Sequence, residues 1–351
     1  MLIINSVFGD ATGGRWQVVC DYSNLLRKQG HEVVMVLSDT LPGVLQGIPT
    51  GIEVLRLRNH GHYDWLAAWR LARRLRDRKP SLAIAHCSRS VALLKRALGG
   101  SVPVLAVTHS TKVRRLLKAD GIIALTNSLR EKIQAESQGR PFPVYVIPNQ
   151  IVLPSGGCPP PRPLQRPPVI GALGRFDRVK GFDVFIDALG QLAEQGQKFT
   201  ARLAGAGEEE ARLREQIQAL GLGDYIELTG WVPPEEVSTF LSKLDLLCVT
   251  ARSDAFGLTP LQGAAVGVPM VLSEASGHCA MFAKETEALF FTVDDTKALA
   301  DRIRQLLGDP GLQKRLPANA FKRLECSYSE AAVATSILEA ISKTLNSFNK
   351  I

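Results

Sequence analysis

Arg175 and Lys180 share one short turn, Gly174-Arg175-Phe176-Asp177-Arg178-Val179-Lys180-Gly181, with a glycine at each end. The apolar run Val169–Leu173 precedes it, and a segment with helical spacing begins at Phe182. Strand, polar turn, helix puts the turn at the carboxyl end of a strand, where open α/β sheets hold ligands. A guanidinium makes paired hydrogen bonds to phosphate oxygens and an ammonium adds a point charge, so the two together suit a diphosphate. A solvent-facing basic turn would use the same residues, and spacing alone leaves both readings open.

A second stretch, Arg252-Ser253-Asp254-Ala255-Phe256-Gly257-Leu258-Thr259-Pro260-Leu261-Gln262-Gly263-Ala264, also follows an apolar run, Leu244–Thr250. Asp254 stands two residues before Phe256-Gly257, and Gln262 follows Asp254 with seven residues between. With these two stretches in this order, the chain resembles the retaining glycosyltransferases of family 4, which have the GT-B fold. The resemblance spans almost the whole chain. The family carries a G-R-x-x-x-x-K-G turn and then two Glu residues with seven residues between them, so Asp254 and Gln262 are departures from its pattern.

The resemblance implies an α/β protein of two Rossmann-like domains facing each other across a cleft, with a C-terminal helix crossing back to the first. It implies transfer of a sugar, with retained configuration, from a nucleoside diphosphate sugar to a hydroxyl of a glycan or lipid-linked acceptor in cell-envelope polysaccharide or lipopolysaccharide synthesis. UDP is the favoured nucleotide, ahead of GDP and ADP, and neither a cofactor nor a metal is implied. Arg175 and Lys180 would hold the leaving diphosphate, and Asp254 and His109 would meet the donor sugar. Asp10 or His109 would help to position the acceptor. Gln262 takes the place of the Glu that holds the ribose diol. Gly13-Gly14 matches a glycine pair near the donor phosphate or acceptor. Trp231 and Val232 fall in the loop beside the base, and Gly205 permits close approach of a ligand. Phe256, Gly257 and Leu258 lead into a helix amino terminus that suits anionic groups. The amides of Gly277 and His278 stand where the family has a glycine-rich phosphate turn.

Several of these residues also have a plainer reading. Gly13-Gly14 and Gly205 would serve as tight turns, and His109 as a loop-capping imidazole. Thr259-Pro260-Leu261-Gln262 has the form of a capping box, which competes with the ribose for the Gln262 side chain. Replacing a Glu by Gln keeps hydrogen bonds to ribose hydroxyls but without their charge assistance, a loss of about 1–2 kcal/mol.

The elements that must position these groups alternate strand and helix. Leu2–Val7 and Val33–Leu37 read as buried strands, with Trp16, Val19, Cys20, Tyr22, Leu25 and Leu26 at helical spacing between them. Strand, helix, strand is the unit of a parallel sheet. Strands are expected again at Ile52–Leu57 and Leu82–Ala85, so that His86-Cys87-Ser88-Arg89 and Thr108-His109-Ser110 follow strand ends. Trp65–Arg78 reads as a basic amphipathic helix, with Trp65, Leu66, Trp69, Ala72 and Leu75 on one side, which either packs on the sheet, the commoner case, or lies on an anionic membrane surface. Between residues 154 and 168 lie seven prolines, an extended stiff linker. The expected division is therefore an acceptor-side domain over 1–153, a linker over 154–168, a nucleotide-sugar domain over 169–325, and a last helix over 326–351 that packs back on the first domain. Pro148-Asn149 matches the family at the end of the first domain, whereas Gln150 replaces its glycine.

Composition narrows the function classes. A chain of 351 residues with 45% hydrophobic content suits two soluble domains. It has no apolar run long enough to span a bilayer, and Met1–Phe8 reads as a first strand, not a signal peptide. Six scattered cysteines without a C-x-x-C pair fit a reduced, cytoplasmic protein without structural zinc. The formal charge of +8 is uneven: residues 1–150 hold 21 Lys plus Arg against 10 Asp plus Glu, and the remainder 21 against 24. A basic front half suits an anionic membrane surface on the inner face of the plasma membrane or an anionic acceptor, and equally plain solubility. No nucleic-acid-binding module is recognisable and no G-x-G-x-x-G follows the first strand, so nucleic acid and nicotinamide partners rank low. The rivals to a transferase are a non-catalytic nucleotide-sugar-binding protein and another GT-B enzyme, an epimerase or a phosphorylase.

Overall fold

The computed structural model describes residues 1–9, 13–41, 45, 47–139 and 143–348. The chain divides into two compact units, Met1–Gln150 with Glu330–Ile351, and Ile151–Ser329. The first unit contains β1 (Leu2–Ser6), α1 (Gly13–Lys28), β2 (Glu32–Ser38), β3 (Glu53–Leu57), α2 (Trp65–Leu75), β4 (Leu82–Ala85), α3 (Ser88–Ala97), β5 (Val104–Val107), β6 (Gly121–Ala124), α4 (Asn127–Glu136) and β7 (Val144–Val146). Its strands form one parallel sheet in the order β3-β2-β1-β4-β5-β6-β7. Ile4 lies between Val34 and Ala83 in that register. Helices on both faces bury the central strands, which is why β1, β4 and β5 do not alternate and, apart from Asn5, whose amide bonds the Val19 carbonyl and the Ser23 hydroxyl, are apolar or small. Trp16, Val19 and Cys20 of α1 close over Val7, Met35 and Leu37.

The second unit contains β8 (Val169–Leu173), α5 (Phe182–Glu194), β9 (Thr200–Ala204), α6 (Glu210–Ala219), β10 (Ile226–Gly230), α7 (Val237–Ser242), β11 (Leu246–Val249), α8 (Leu258–Ala265), β12 (Met270–Ser273), α9 (Ser276–Met281), β13 (Leu289–Phe291), α10 (Thr296–Gly308) and α11 (Pro310–Ser327). The sheet is again parallel, in the order β10-β9-β8-β11-β12-β13. Gly171 sits between Arg202 and Leu247. The proline-rich segment is seated on this unit. Arg162 donates to the Leu244 carbonyl, and the amides of Gln165 and Val169 donate to the buried Asp245 carboxylate at 3.2 and 2.8 Å. The last helix, α12 (Glu330–Phe348), belongs to the first unit. It buries Val333, Ile337, Ala340, Ile341 and Thr344, and Glu330 pairs with Lys28 at 2.7 Å.

One element differs from expectation. Helix α2 buries Ala67, Ala68, Leu71 and Leu75, while Trp65, Leu66 and Trp69 are 70%, 54% and 57% exposed. At about 100° per residue the spacing 67, 71, 75 selects a narrow alanine–leucine face, and the tryptophans fall on the other side. Small residues let the helix lie close to its neighbours, and the large aromatics are left outside.

Candidate active site

A parallel sheet in this order has a crevice outside the strand ends where the order reverses, and in the second unit that point lies between β8 and β11. The loops leaving these two strands carry Lys180 and Asp254. Lys180 Nζ donates to Asp254 Oδ2 at 2.9 Å. The loops are tied together behind this pair: Thr250 Oγ1 donates to the Lys180 carbonyl at 2.9 Å and the Arg252 amide to the Val179 carbonyl at 2.8 Å. Phe176, 1% exposed and edge-on to Phe182, anchors the turn that presents Lys180.

Burial alone would push the Asp254 carboxyl up. The Lys180 ammonium and its hydrogen bond, His278 and the Phe256 amide outweigh that and hold it below the usual aspartate value. The Phe256 amide donates to Asp254 Oδ1 at 3.2 Å. His278 is fully buried, with Nε2 4.0 Å from Asp254 Oδ2. Its Nδ1 lies 3.1 Å from both the Ser273 hydroxyl and the Ser273 carbonyl, while the hydroxyl itself donates to the Ala251 carbonyl. Nδ1 therefore carries the hydrogen, and Nε2 is a buried lone pair without a partner among the described residues. Burial lowers the His278 pKa and keeps the ring neutral, against the opposing pull of Asp254.

Arg175 and Lys180 do not share a partner. Arg175 is 67% exposed and pairs with Asp177 at 3.0 Å. Sequence reasoning also missed Arg252, whose guanidinium grips Asp183 through two bonds of 2.9 and 2.8 Å and reaches Asp294 at 2.6 Å, fixing the loop after β11. The capping box does not form. Helix α8 begins at Leu258 with Gly257 as its cap and without a side-chain bond, so Thr259 is already inside the helix. Gln262 is half-buried, its side chain without a partner among the described residues. Phe256 is buried edge-on to Tyr328. The Gly277 amide is taken by the Asp254 carbonyl at 3.1 Å, so it is not free to bind phosphate.

Gly205, after β9, has φ +153°, and a methyl group there would lie 1.9 Å from the Gly174 carbonyl oxygen. The space that its missing side chain leaves is filled by the phosphate-type turn itself, not by a ligand. Trp231, 47% exposed, and half-buried Val232 follow β10.

In the first unit the order reverses between β1 and β4. Gly13 opens α1 with φ +70°, and a methyl group there would meet nothing within 4 Å among the described residues. Gly14 is exposed, and Asp10 lies outside the described residues. His86 after β4 and His109 after β5 share a hydrogen between Nδ1 and Nε2 at 2.9 Å, and Tyr22 meets the His86 ring edge-on at 5.2 Å. Burial and the neighbouring Arg15 push His109 down to about 3, and burial, His109 and Arg15 hold His86 well below the usual imidazole value. Both rings are neutral at pH 7. The pairing of His86 with His109 was foreshadowed only by their places after neighbouring strands. Among the described residues no group of three or more His, Cys, Asp and Glu is placed to hold a metal ion.

Two family models match the chain, Glycosyltransferase Family 4 over residues 12–153 and Glycosyl transferases group 1 over residues 160–323. The 2-deoxystreptamine glucosyltransferase of Streptomyces kanamyceticus is 24% identical over 66% of this chain and 62% of its own length. The lipopolysaccharide core biosynthesis glycosyltransferase LpsD of Rhizobium meliloti is 30% identical over 49% of this chain and 48% of its own. The chain thus spans less than two thirds of the length of these curated relatives. Among solved structures, Anabaena HepE in complex with UDP and glucose superimposes with a TM-score of 0.81 at 18% identity, covering 98% of this chain and all of that one. Between them the two models cover both sheets, and the chain belongs to the glycosyltransferases that they describe, built of two Rossmann-like units as in the GT-B fold.

Proposed function

We propose that the protein transfers a glycosyl unit, with retention, from a UDP-sugar to a hydroxyl of a glycan or lipid-linked acceptor in cell-envelope polysaccharide or lipopolysaccharide synthesis. The observation that carries this reading is the Lys180–Asp254 pair, 2.9 Å apart on the two loops at the strand-order reversal. The names of LpsD and of the UDP-bound HepE support the acceptor class and the nucleotide. In the reaction the bond from the anomeric carbon to the diphosphate breaks and the bond to the acceptor oxygen forms. The acceptor proton passes to the leaving phosphate oxygen. Lys180 leaves Asp254 for the diphosphate as its charge grows, which is the differential binding that catalysis requires. Asp254, released, accepts from donor-sugar hydroxyls, and Gln262 bonds the ribose. Arg175, mostly in solvent, leaves Asp177 and swings onto the diphosphate. Neutral His109 serves as a hydrogen-bond partner for a hydroxyl, not as a cation.

The site also fits a non-catalytic nucleotide-sugar-binding protein, since Gln262 stands where the family has a Glu. Among the described residues no helix is long and apolar enough to cross a membrane. The excess of basic residues over 1–150 supports attachment of the first unit to the anionic inner face of the plasma membrane, with the protein in the cytoplasm.

Calorimetric titration with UDP, GDP and ADP tests the core of this reading. Selective binding of UDP, lost in the Arg175→Ala, Lys180→Ala double variant, is the expected result. No binding of any of the three overturns the proposal. Binding without turnover on a broad acceptor panel moves the protein to the non-catalytic class.

A further inference from the structure

The first unit holds a cavity of about 360 Å³ that the proposed chemistry does not use. It opens between the His62-Tyr63 segment ahead of α2, helix α3 and the turn of 3-10 helix at Arg114–Lys118, and is lined by His62, Tyr63, Lys95, Arg96, Arg115 and Lys118. Lys95 is held by Asp120 at 2.8 Å. Arg115, Lys118 and nearby Arg89, unlike Lys95, have no carboxylate partner among the described residues.

 The positive field in the cavity is unbalanced: burial and then Arg115, Arg89 and Lys118 lower the pKa of His62, which bonds the Ser88 hydroxyl at 2.9 Å.

The rim of the cavity is aromatic and apolar. Tyr63 is 76% exposed, and Trp65, Leu66 and Trp69 follow on the outward side of α2. The Arg96 guanidinium lies 4.4 Å from the centre of the Trp65 ring and lines the cavity at the same time, so rim and cavity are one surface. Exposed tryptophans beside unpaired cations match a bilayer interface, where indole rings sit at headgroup depth and phosphates supply the counter-charge.

We propose that this cavity binds the phosphate-bearing headgroup of an anionic lipid while Tyr63, Trp65, Leu66 and Trp69 enter the headgroup layer. The proposal rests on the membrane-facing reading of the first unit and adds to it a defined site and a defined headgroup chemistry.

Flotation of the full-length protein with phosphatidylcholine vesicles, with and without phosphatidylglycerol, tests it. Wild type is expected to float only with the phosphatidylglycerol vesicles, with a blue shift of tryptophan emission. The Arg115→Glu, Lys118→Glu variant should lose at least about tenfold in vesicle affinity, and Trp65→Ser, Trp69→Ser a similar factor together with the blue shift. All four residues are exposed, so unchanged thermal melting and UDP binding serve as controls of folding. If wild type floats and the charge-reversal variant floats equally well, the membrane reading stands and the cavity site falls. If wild type floats with neither vesicle, both fall. Binding of inorganic phosphate at the same affinity as vesicles, with the tryptophans dispensable, would make this a soluble-anion site and overturn the lipid assignment. Self-association that the tryptophan variant abolishes, without vesicle binding, would assign the face to a second copy of the chain.

Discussion

Corresponding strands of the two sheets end in facing side chains of opposite character. In the first unit His86 follows β4 and His109 follows β5; in the second, Asp254 follows β11 and His278 lies beyond β12. The histidines after β5 and β12 occupy the same place in the two strand orders. What differs is the neighbour. His109 shares a hydrogen with another buried imidazole, and the pair is neutral. His278 stands 4.0 Å from a carboxylate that is ionised because Lys180 holds it. One backbone plan thus yields a neutral hydrogen-bonding site in one unit and a compensated ionic site in the other. The first suits hydroxyl groups, and the second suits a ligand that can exchange its own charges for those of the pair.

The contrast breaks most severely at glycine. Gly205→Ala places a methyl group 1.9 Å from the Gly174 carbonyl oxygen and should cost the second unit more than about 4 kcal/mol. Gly13→Ala meets no described neighbour and should cost only about 1 kcal/mol, from its φ of +70°. Urea denaturation of the two variants distinguishes a glycine required by packing from one required by backbone conformation. Equal losses would show that the crowding at Gly205 relaxes away.

Lys180→Ala comes next. Turnover at saturating donor should fall by at least about 10²-fold, the scale of one lost transition-state donor. The variant should also lose about 2 kcal/mol of stability by leaving Asp254 buried and unpaired. Near-normal turnover would remove Lys180 from the chemistry and leave it a structural partner of Asp254.

Acidification separates the units more gently. His109 has its folded pKa, about 3, below the ordinary value of 6.5, so below that value the unfolded chain takes up a proton that the folded chain refuses. Stability from this group falls as pH drops from 6.5 towards 3, by about 1–2 kcal/mol at pH 5. Asp254, whose folded pKa is depressed, keeps its contribution above the ordinary aspartate range and loses it as pH falls through its own folded value. Thermal melts of wild type and His109→Gln from pH 7 to 5 should show a flatter acid limb in the variant. Superimposable limbs would mean that His109 titrates normally.

The smallest change sharpens the contrast. Gln262→Glu restores a charge-assisted acceptor for ribose hydroxyls and should tighten UDP by about 1 kcal/mol, roughly fivefold. Calorimetry reads this directly, and unchanged or weaker binding would place Gln262 away from the ribose.

The linked motifs and the alternation of strands and helices were legible in the sequence because each depends on near neighbours along the chain. Gly174–Gly181 and Arg252–Ala264 could be placed at strand ends from their flanking apolar runs alone. The pairing of Lys180 with Asp254 was not, because it joins residues on two loops through tertiary packing. The face of α2 was misread for a different reason. Counting every large apolar residue as buried put Trp65 and Trp69 inward, whereas two alanines and two leucines form the packed side. At Thr259 a capping pattern was present, but the Asp254 carboxylate bonds the Phe256 amide in the preceding turn and the helix starts two residues earlier than the pattern requires.

The Lys180–Asp254 pair has a consequence for selectivity. At rest the site shows little net charge, so a small anion such as inorganic phosphate gains Lys180 only by stranding a half-buried carboxylate. Under the proposed function a nucleoside diphosphate sugar would escape that penalty, because its hydroxyls would satisfy Asp254 as its phosphates drew the ammonium away. Recognition would then work as a coincidence detector, answering to two chemical features presented together and ignoring either one alone.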